Sequence, residues 1–417
     1  QKTHADEPDN ELHTNDECYI CKAAFWKLHH FYDKLCPECA ELNWAKRNQT
    51  VSFEGRVALV TGGRVKIGYA TALFLARNGA TVIVTSRFPN DTAARYSKEP
   101  DFASFKDRIH IYGLDMRFLK DVEQFTNVVL STYSRLDIII NNAAQSIRRP
   151  PAYYSHLMQF ESVPAESLPE ELRPLVRLQH PNNLQIQQAP TQAITITEVT
   201  NNNEESNDTA LASINECISS AALSQMPVAP EDEHDHKELF PEGVYDENNQ
   251  QLDLRKKTSW VLEHDQVSSV ELAEVHAINA LAPYIINSKL LPLLRKSPAK
   301  DKFIINVSSI EGQFYHRKTT KHPHTNASKA ALNMMTRTSA AYFAKFRVWM
   351  NSVDTGWISN MNPVNRSVKI AKKYKEHFRN PLDEQDAVSR ILDPIVQCIN
   401  ANKITFGRLI KDYQIAP

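Results

Sequence analysis

The feature that most constrains this chain is an alternation of apolar, strand-like runs with helical stretches that begins at Phe53. The runs VALVTGG, TVIVTSR, IHIYGLD and LDIIINNAA come first, the alternation breaks after Asn142, and it resumes with VELAEVHAINALAPY, FIINVSS and VWMNSVD. Apolar strands that alternate with helices form parallel sheets covered by helices. We therefore predict an α/β fold with a doubly wound parallel sheet that is interrupted and then completed.

Shifts in composition divide the chain into four predicted segments. The segment between the two halves of the α/β pattern contains TNNNEESNDT and APEDEHDHKE, and its stretch near 187–236 offers too little apolar surface to offset chain entropy. We predict that this stretch lacks fixed structure, apart from a short strand at ITITEV. The predicted segments are a cysteine-rich module at 1–47, the first part of the α/β domain at 52–150, a partly disordered insertion at 151–258, and the second part, with the catalytic-type helix and the substrate region, at 259–417.

Charge and hydropathy argue against some classes of function. Lys and Arg number 48 and Asp and Glu 49, so the formal net charge of −1 gives no bulk attraction to nucleic acid or an anionic membrane. No stretch approaches the roughly 18 to 20 uninterrupted apolar residues of a membrane span. Four of the six cysteines lie within the first 40 residues, which favours a local metal site over a disulfide framework. We therefore predict a reducing compartment, the cytoplasm, with an organellar matrix as the alternative.

A glycine-rich turn joins the first apolar run to a helix. Glycine allows the backbone to approach a pyrophosphate closely, and the N-terminus of the helix adds unpaired N–H donors. The sequence therefore predicts a phosphate-binding turn. Its candidate residues are Thr61, Gly62, Gly63, Arg64, Lys66, Ile67 and Gly68.

The ends of the next three strands carry further candidates, because ligands of such sheets lie at the carboxyl edge. Ser86 and Arg87 stand where an NAD-selective site presents a carboxylate, and a forked guanidinium there can pair with a 2′-phosphate. Arg64 can approach the same charge. The candidates at the third and fourth strand ends are Asp115, Met116, Asn142, Ala143 and Ala144.

The turn TGGRVKIG, the aspartate in GLDM and the run NNAA resemble, in this order, landmarks of the short-chain dehydrogenase/reductase family. The resemblance covers roughly 52–150 and 260–415 and implies a Rossmann fold that binds a nicotinamide dinucleotide, with NADP(H) favoured over NAD(H). Lys66 replaces the middle glycine of the family's TGxxxGxG fingerprint, where a lysine either clamps phosphate or blocks it. The resemblance also implies cofactor contacts from Gly356 and Ile358, with Asn360 in the place of a threonine that binds the carboxamide.

The same resemblance implies a catalytic set of Asn, Ser, Tyr and Lys, in which the tyrosine exchanges a proton with the substrate oxygen. The set corresponds to Asn279, Ser309, Thr325 and Lys329, so threonine occupies the tyrosine position, and the lysine also holds the cofactor ribose. An aliphatic hydroxyl is several units less acidic than a phenol, whose pKa is about 10. Candidates for a substitute proton donor are Tyr315, His322 and His324, and the alternative for each is a solvated loop side chain.

The four N-terminal cysteines have the spacing of a zinc site. Cys18, Cys21, Cys36 and Cys39 form CxxC, a loop and CPEC, which suits a tetrahedral ion with four thiolate ligands. Such a site leaves no position for a water molecule, so the zinc is expected to be structural, and paired disulfides or free thiols are the alternatives. The aromatic residues nearby either form a small core around the ion or offer a contact surface.

Two functional hypotheses follow. The first is an oxidoreductase that moves hydride between NADP(H) and a carbonyl or alcohol substrate. The second is a catalytically degenerate dinucleotide-binding pseudoenzyme that acts as a structural or redox-sensing subunit of a protein assembly. By analogy, the helices of Asn279 and Lys329 are expected to support a homo-oligomer or docking into a larger assembly.

Overall fold

A nine-stranded sheet forms the centre of the molecule. The computed structural model describes residues 11–177, 219–233, 236–246, 248–359, 361–364 and 380–416. The strands are β1 Glu11–Glu17, β2 Ala24–Lys27, β3 Val57–Thr61, β4 Thr81–Ser86, β5 Ile109–Gly113, β6 Ile138–Asn141, β7 Val176–Arg177, β8 Lys302–Ser308, β9 Val348–Asp354, β10 Leu409–Lys411 and β11 Gln414–Ile415. The sheet order is β11-β10-β9-β8-β6-β3-β4-β5-β7, and every pair except β10–β11 is parallel.

The strand order reverses at β3. From this strand the chain proceeds outward through β4 and β5 on one side, and through β6, β8 and β9 on the other. The carboxyl edge at such a switch point is the crevice where ligands of doubly wound sheets bind. The predicted fold class is therefore confirmed, and the glycine-rich turn after β3 lies at the switch point.

Helices cover both faces of the sheet. Their bounds are α1 Pro37–Arg47, α2 Lys66–Arg77, α3 Pro89–Ser97, α4 Leu119–Thr132, α5 Ser155–Glu161, α6 Ser220–Ser224, α7 Ser269–His276, α8 Ala282–Lys289, α9 Leu291–Lys296, α10 Pro323–Ala344 and α11 Glu384–Ala401. Apolar side chains of α2, α3 and α11 fill one core, and those of α4, α8 and α10 fill the other. Burial of both faces explains why the strands read as continuous apolar runs. None of the helices in the described ranges is long and apolar enough to cross a membrane.

The segment predicted as an insertion contains fixed structure in its described part. Residues 219–233, within the stretch predicted to lack fixed structure, differ from that prediction because they include α6 and a buried ion pair between Asp232 and Arg148 at 2.6 Å. Ala221 and Phe240 also pack against Tyr153 and Phe88. The rest of that stretch up to 218, together with ITITEV, lies outside the described residues. The segment boundaries stay a prediction.

The N-terminal module, formed by β1, β2 and α1, is joined to the main body through α11. Lys46 pairs with Asp393 and Arg47 with Asp383, each at 2.6 Å. The buried guanidinium of Arg390 donates to Asn43 at 2.6 Å. The module is therefore docked by charged contacts that the sequence pattern did not indicate.

Candidate cofactor and active site

The turn between β3 and α2 has a backbone that only glycine fits at two positions. Gly62 has φ +69°, and a Cβ atom on it would lie 3.0 Å from the Cα atom of Ala143. A Cβ atom on Gly68 would lie 2.2 Å from the carbonyl oxygen of Gly62. The N-cap residue of α2, Val65, has no side chain that caps the helix, and the N-terminus of a helix is a general binding site for an anion.

Lys66 occupies the position of the fingerprint's middle glycine and keeps a glycine-like backbone. Its φ is +54°, in the left-handed region that L residues adopt at an energetic cost. The side chain therefore departs from the fingerprint, whereas the conformation of the turn does not.

Substitution of Gly68 by alanine is expected to weaken dinucleotide binding at least tenfold. The added methyl group would meet the Gly62 carbonyl and the Asn142 side chain, at 2.2 and 2.3 Å, so the turn must open. The expected loss of stability is about 1–3 kcal/mol, typical of overpacking. Fluorescence titration with NADPH and a thermal melt measure both effects.

The matched control for this substitution is Gly55→Asn. Gly55 has φ +67°, but nothing lies within 4 Å of an added Cβ atom, and Asn tolerates this conformation. Unchanged NADPH affinity in Gly68→Ala would contradict the proposed role of the turn.

The run after β6 is bonded directly to this turn. The Thr61 hydroxyl accepts hydrogen bonds from the amides of Asn142 and Ala143, both at 3.0 Å. The Asn142 amide group donates to the carbonyls of Thr61 at 3.0 Å and Gly62 at 3.2 Å. Ala144 follows at the same edge and is exposed. The structure thus brings the predicted residues of the two turns together.

The residues after β4 already have partners in the chain. The Ser86 hydroxyl accepts from the amide of Phe88 at 3.0 Å. Arg87 donates to the Tyr154 hydroxyl at 2.6 Å, and its guanidinium lies 4.4 Å from the centre of that ring. Arg64 pairs with Asp91 at 2.7 Å. Sequence reasoning missed Tyr154, because it lies in a short 3₁₀ helix, Pro151–Tyr154, which has too few residues to show a pattern.

Asp115, the candidate for the adenine amino group, is held by a neighbouring arginine. Its carboxylate accepts from the amide of Arg117 and from its guanidinium, at distances down to 2.7 Å. Arg117 reaches on to Glu274 at 3.1 Å and to the Leu223 carbonyl at 3.2 Å. Met116 is buried beside Asp115. Arg117 could have been identified as a partner from the sequence, because it follows Asp115 by only two residues.

Helix α6 lies along this same edge of the sheet. The Ser220 hydroxyl donates to the carbonyl of Arg87 at 2.8 Å. A Cβ atom on Gly113 would lie 2.6 Å from that hydroxyl. The described part of the insertion therefore borders the ends of β4 and β5.

Asn279 lies in a π-helical segment, Ala277–Leu281, between α7 and α8. Such segments are frequent at functional sites. Its side-chain oxygen accepts from the amide of Gln145 at 2.8 Å, and its nitrogen donates to the Ser328 hydroxyl at 3.0 Å. Asn279 thus connects the run after β6 with α10, the helix that carries Lys329.

Lys329 and Thr325 lie one turn apart on α10, and both are buried. The Lys329 ammonium donates to the carbonyl of Val307 at 2.9 Å. Burial lowers the pKa of Lys329 to about 8, against the opposing effect of Asp354. The Thr325 hydroxyl is buried and finds no hydrogen-bond partner among the described residues.

Ser309 begins the turn after β8. Its hydroxyl oxygen accepts from the amide of Glu311 at 3.1 Å, so its proton is free to be donated. The Asp354 carboxylate accepts from the amides of Ile310 at 2.7 Å and Gly356 at 2.8 Å. The ends of β8 and β9 are thereby tied together beside Lys329.

The three candidate substitute donors differ in exposure. Tyr315 is 94% exposed, whereas His322 and His324 are buried. The His322 ring stacks on Trp260 with centroids 4.0 Å apart, and burial lowers its pKa. His324 lies 3.4 Å from Glu271, between α10 and α7. The alternative of a solvated loop side chain is therefore wrong for both histidines.

The segment after β9 contacts the N-terminal module. Gly356 has φ +82°, Ile358 is buried, and the amide of Trp357 donates to the Tyr19 hydroxyl at 2.9 Å. The predicted carboxamide-binding position, Asn360, lies outside the described residues.

The four cysteines of the module fit a tetrahedral metal ion. The Sγ atoms of Cys18, Cys21, Cys36 and Cys39 all lie within 4.8 Å of one another, and those of Cys21 and Cys36 are 3.6 Å apart. A Zn–S distance of about 2.3 Å requires sulfur atoms about 3.8 Å apart. The predicted cluster is therefore present and matches the chemistry of zinc.

Known proteins resemble this chain along most of its length. A family profile described as short chain dehydrogenase matches residues 56–164, and one described as enoyl-(acyl carrier protein) reductase matches 260–389. An uncharacterized protein of Acanthamoeba polyphaga mimivirus is 30% identical over 391 residues, 91% of this chain and 71% of that protein. A short-chain dehydrogenase/reductase of Pyricularia grisea is 31% identical over 134 residues, 30% of this chain and 54% of that protein.

Solved structures show the same fold. A short-chain dehydrogenase/reductase of unknown function from Caenorhabditis elegans, solved with cofactor, has a TM-score of 0.51 at 16% identity and covers 86% of this chain and 94% of that one. A dehydrogenase/reductase from Sinorhizobium meliloti 1021 has a TM-score of 0.50 at 16% identity, covering 88% and 96%.

Proposed function

This chain belongs to the short-chain dehydrogenase/reductase family, and from that premise we propose that it is an NADP(H)-dependent oxidoreductase acting on a carbonyl or alcohol. The observation that carries the proposal is the juxtaposition of two features. The turn of Gly62 and Gly68 has a backbone suited to a pyrophosphate, and Ser309 and Lys329 lie at the same sheet edge, after β8 and on the helix packed against it. A dinucleotide lying across this edge would have its phosphates at β3 and its nicotinamide near β8 and β9.

In the proposed mechanism, NADPH supplies a hydride when bound, and side chains of the chain handle the proton. Thr325 is too weak an acid to donate it. Lys329, with a pKa of about 8, is an ammonium ion at neutral pH and takes the role of proton donor. Ser309 donates a hydrogen bond to the substrate oxygen, and Asn279 fixes α10 against the run after β6. His322 and His324, the other buried candidates, do not donate the proton in this mechanism and have a structural role.

Preference for NADP(H) is supported by a cluster of three arginines around Tyr154. Although burial raises the pKa of the Tyr154 phenol, the guanidiniums of Arg87, Arg149 and Arg64 outweigh this effect and hold the pKa below its ordinary value. Arg149 has a buried Nε atom with no hydrogen-bond partner among the described residues, and Asp253 lies 3.8 Å away. A 2′-phosphate dianion would complete this positive cluster.

Replacement of Arg87 by methionine is expected to weaken the binding of adenosine 2′,5′-bisphosphate roughly 10- to 100-fold. The loss of one charge-assisted hydrogen bond, about 1.5–3 kcal/mol, sets this range. The affinity for AMP, which lacks the 2′-phosphate, should stay the same. Isothermal titration with the two nucleotides gives the ratio of affinities.

The control variant is Arg347→Met. It removes an arginine that pairs with Asp301 just before β9, at the edge of the sheet opposite the candidate site. It should leave both affinities unchanged. An equal loss for both nucleotides in Arg87→Met would assign Arg87 a general structural role and would remove the argument for NADP(H).

The N-terminal module is proposed to hold a structural zinc ion. Its donor set is complete with four thiolates, so no open position remains for catalysis. Self-association through the helices that hold Asn279 and Lys329 stays a prediction, and so does a cytoplasmic location.

The degenerate alternative, a dinucleotide-binding subunit without turnover, has two observations in its favour. Thr325 stands where the family has its catalytic tyrosine. The carboxylate of Asp115, the candidate for the adenine amino group, already accepts hydrogen bonds from Arg117. Consumption of NADPH in the presence of a panel of aldehydes and ketones separates the two functions. Tight binding without oxidation under any condition would favour the alternative.

A further inference from the structure

The four-cysteine module forms a wall of the candidate cofactor site. One apolar cluster contains Leu35 and Ala40 of the module together with Ile358 and Leu382 of the main body. Ile67, from the glycine-rich turn, packs against the same cluster. The module therefore shares one apolar cluster with the turn after β3 and with the segment after β9.

Tyr19 makes the polar contact in this wall. It lies between two of the cysteines, and its amide donates to the carbonyl of Lys34 at 2.9 Å, which fixes it within the module. Its hydroxyl accepts a hydrogen bond from the amide of Trp357 at 2.9 Å. A Cβ atom on Gly356 would lie 3.5 Å from that hydroxyl, so the end of the Tyr19 side chain lies against the backbone of this segment.

The segment at 355–357 is thus held from two sides. Asp354, at the end of β9, accepts from the amide of Gly356, and Tyr19 accepts from the next amide. Ser308 and Asp354 are register partners, so this segment borders Ser309 and Lys329. Four strand spacings, about 19 Å, separate β9 from β4, where Arg87 lies. The segment consequently belongs to the nicotinamide end of the edge rather than the adenosine end.

We propose that Tyr19 is a positioning residue: it holds the Trp357 amide, and with it the segment that receives the nicotinamide half, so that metal loading and nicotinamide binding are coupled. This inference rests on the proposed function. It predicts an effect confined to one half of the dinucleotide, which a general loss of stability would not give.

The experiment compares metal-loaded wild type with Tyr19→Phe in the full chain. The variant keeps the ring and loses one hydrogen bond, so the affinity for NADPH should fall roughly 2- to 12-fold. The affinity for adenosine 2′,5′-bisphosphate, which lacks the nicotinamide half, should not change. Removal of the metal from the wild type with a chelator should lower the affinity for NADPH more than it lowers the affinity for the bisphosphate.

The matched control is Tyr32→Phe, in the same module, which removes a hydrogen bond to Asp386 on α11 and not to the segment after β9. An equal loss of NADPH affinity in both variants, an equal loss for both nucleotides, or no loss in Tyr19→Phe would each overturn the inference. If wild type bound neither nucleotide, the proposed function itself would fail.

Discussion

Substitution of Lys329 by methionine is expected to lower the rate of NADPH-dependent carbonyl reduction by roughly 100- to 10,000-fold, the usual contribution of a general acid. Methionine matches the length and burial of the lysine stem, so the fold should persist. The lost group is the ammonium that donates to the Val307 carbonyl beside Ser309. Stopped-flow or steady-state absorbance of NADPH with a panel of aldehydes and ketones measures the rate.

The pH profile of wild type gives an independent reading of the same residue. Burial lowers the pKa of Lys329 to about 8, so the proton-donating ammonium form prevails below this pH and is lost above it. The rate of reduction should therefore be level below pH of about 8 and fall about tenfold per pH unit above it. The residual rate of Lys329→Met should lack this fall.

The matched control is Lys302→Met. Lys302 is also buried, and burial lowers its pKa, but it lies at the first residue of β8, at the opposite edge of the sheet from the candidate site. This variant should keep its rate and its pH profile. Full turnover in Lys329→Met would remove the proposed active site.

The sequence predicted the parts of the fold that depend on local pattern. The runs VALV, TVIV and FIINVSS are buried on both faces, and they became β3, β4 and β8. It did not predict β7, β10 or β11. These strands lie toward the two ends of the sheet and are only two or three residues long, which is too short for a periodicity to appear.

The candidate site was predictable where the backbone determines it. Gly62 and Gly68 could be found because no other residue fits their positions, and Lys66 could be aligned with them by its spacing in the turn. The glycine-like backbone of Lys66 was seen only in the structure. The partners of these residues could not be found. Tyr19 meets Trp357 across 338 residues of sequence, and Arg87 meets Tyr154 across 67. Such pairs arise from tertiary packing, which leaves no local spacing in the sequence.

Substitution of Cys36 by serine is expected to abolish metal binding and to lower the melting temperature by about 10 °C. A segment as small as the module cannot form a sufficient core, so its folding energy depends on the ion. Without the ion, Lys46 and Arg47 of α1 lose their contacts with α11. The fully buried carboxylate of Asp386 then loses two partners, Arg47 at 3.1 Å and the Tyr32 hydroxyl. An unpaired buried charge costs about 3–5 kcal/mol, and each 1 kcal/mol shifts melting by about 2–4 °C in a domain of this size.

The measurements for this variant are metal content by atomic emission and thermal unfolding by circular dichroism, both before and after treatment with a chelator. Cys398→Ser is the control, because Cys398 is buried on α11 apart from the cluster. It should retain one zinc ion per chain, and chelation should destabilise it as much as wild type. Wild-type protein that takes up no zinc on reconstitution, or that contains disulfides among Cys18, Cys21, Cys36 and Cys39 by mass spectrometry, would contradict a structural zinc site. In that case the charged contacts of α1 with α11 would have to stabilise the module without an ion, and Cys36→Ser would melt at the wild-type temperature.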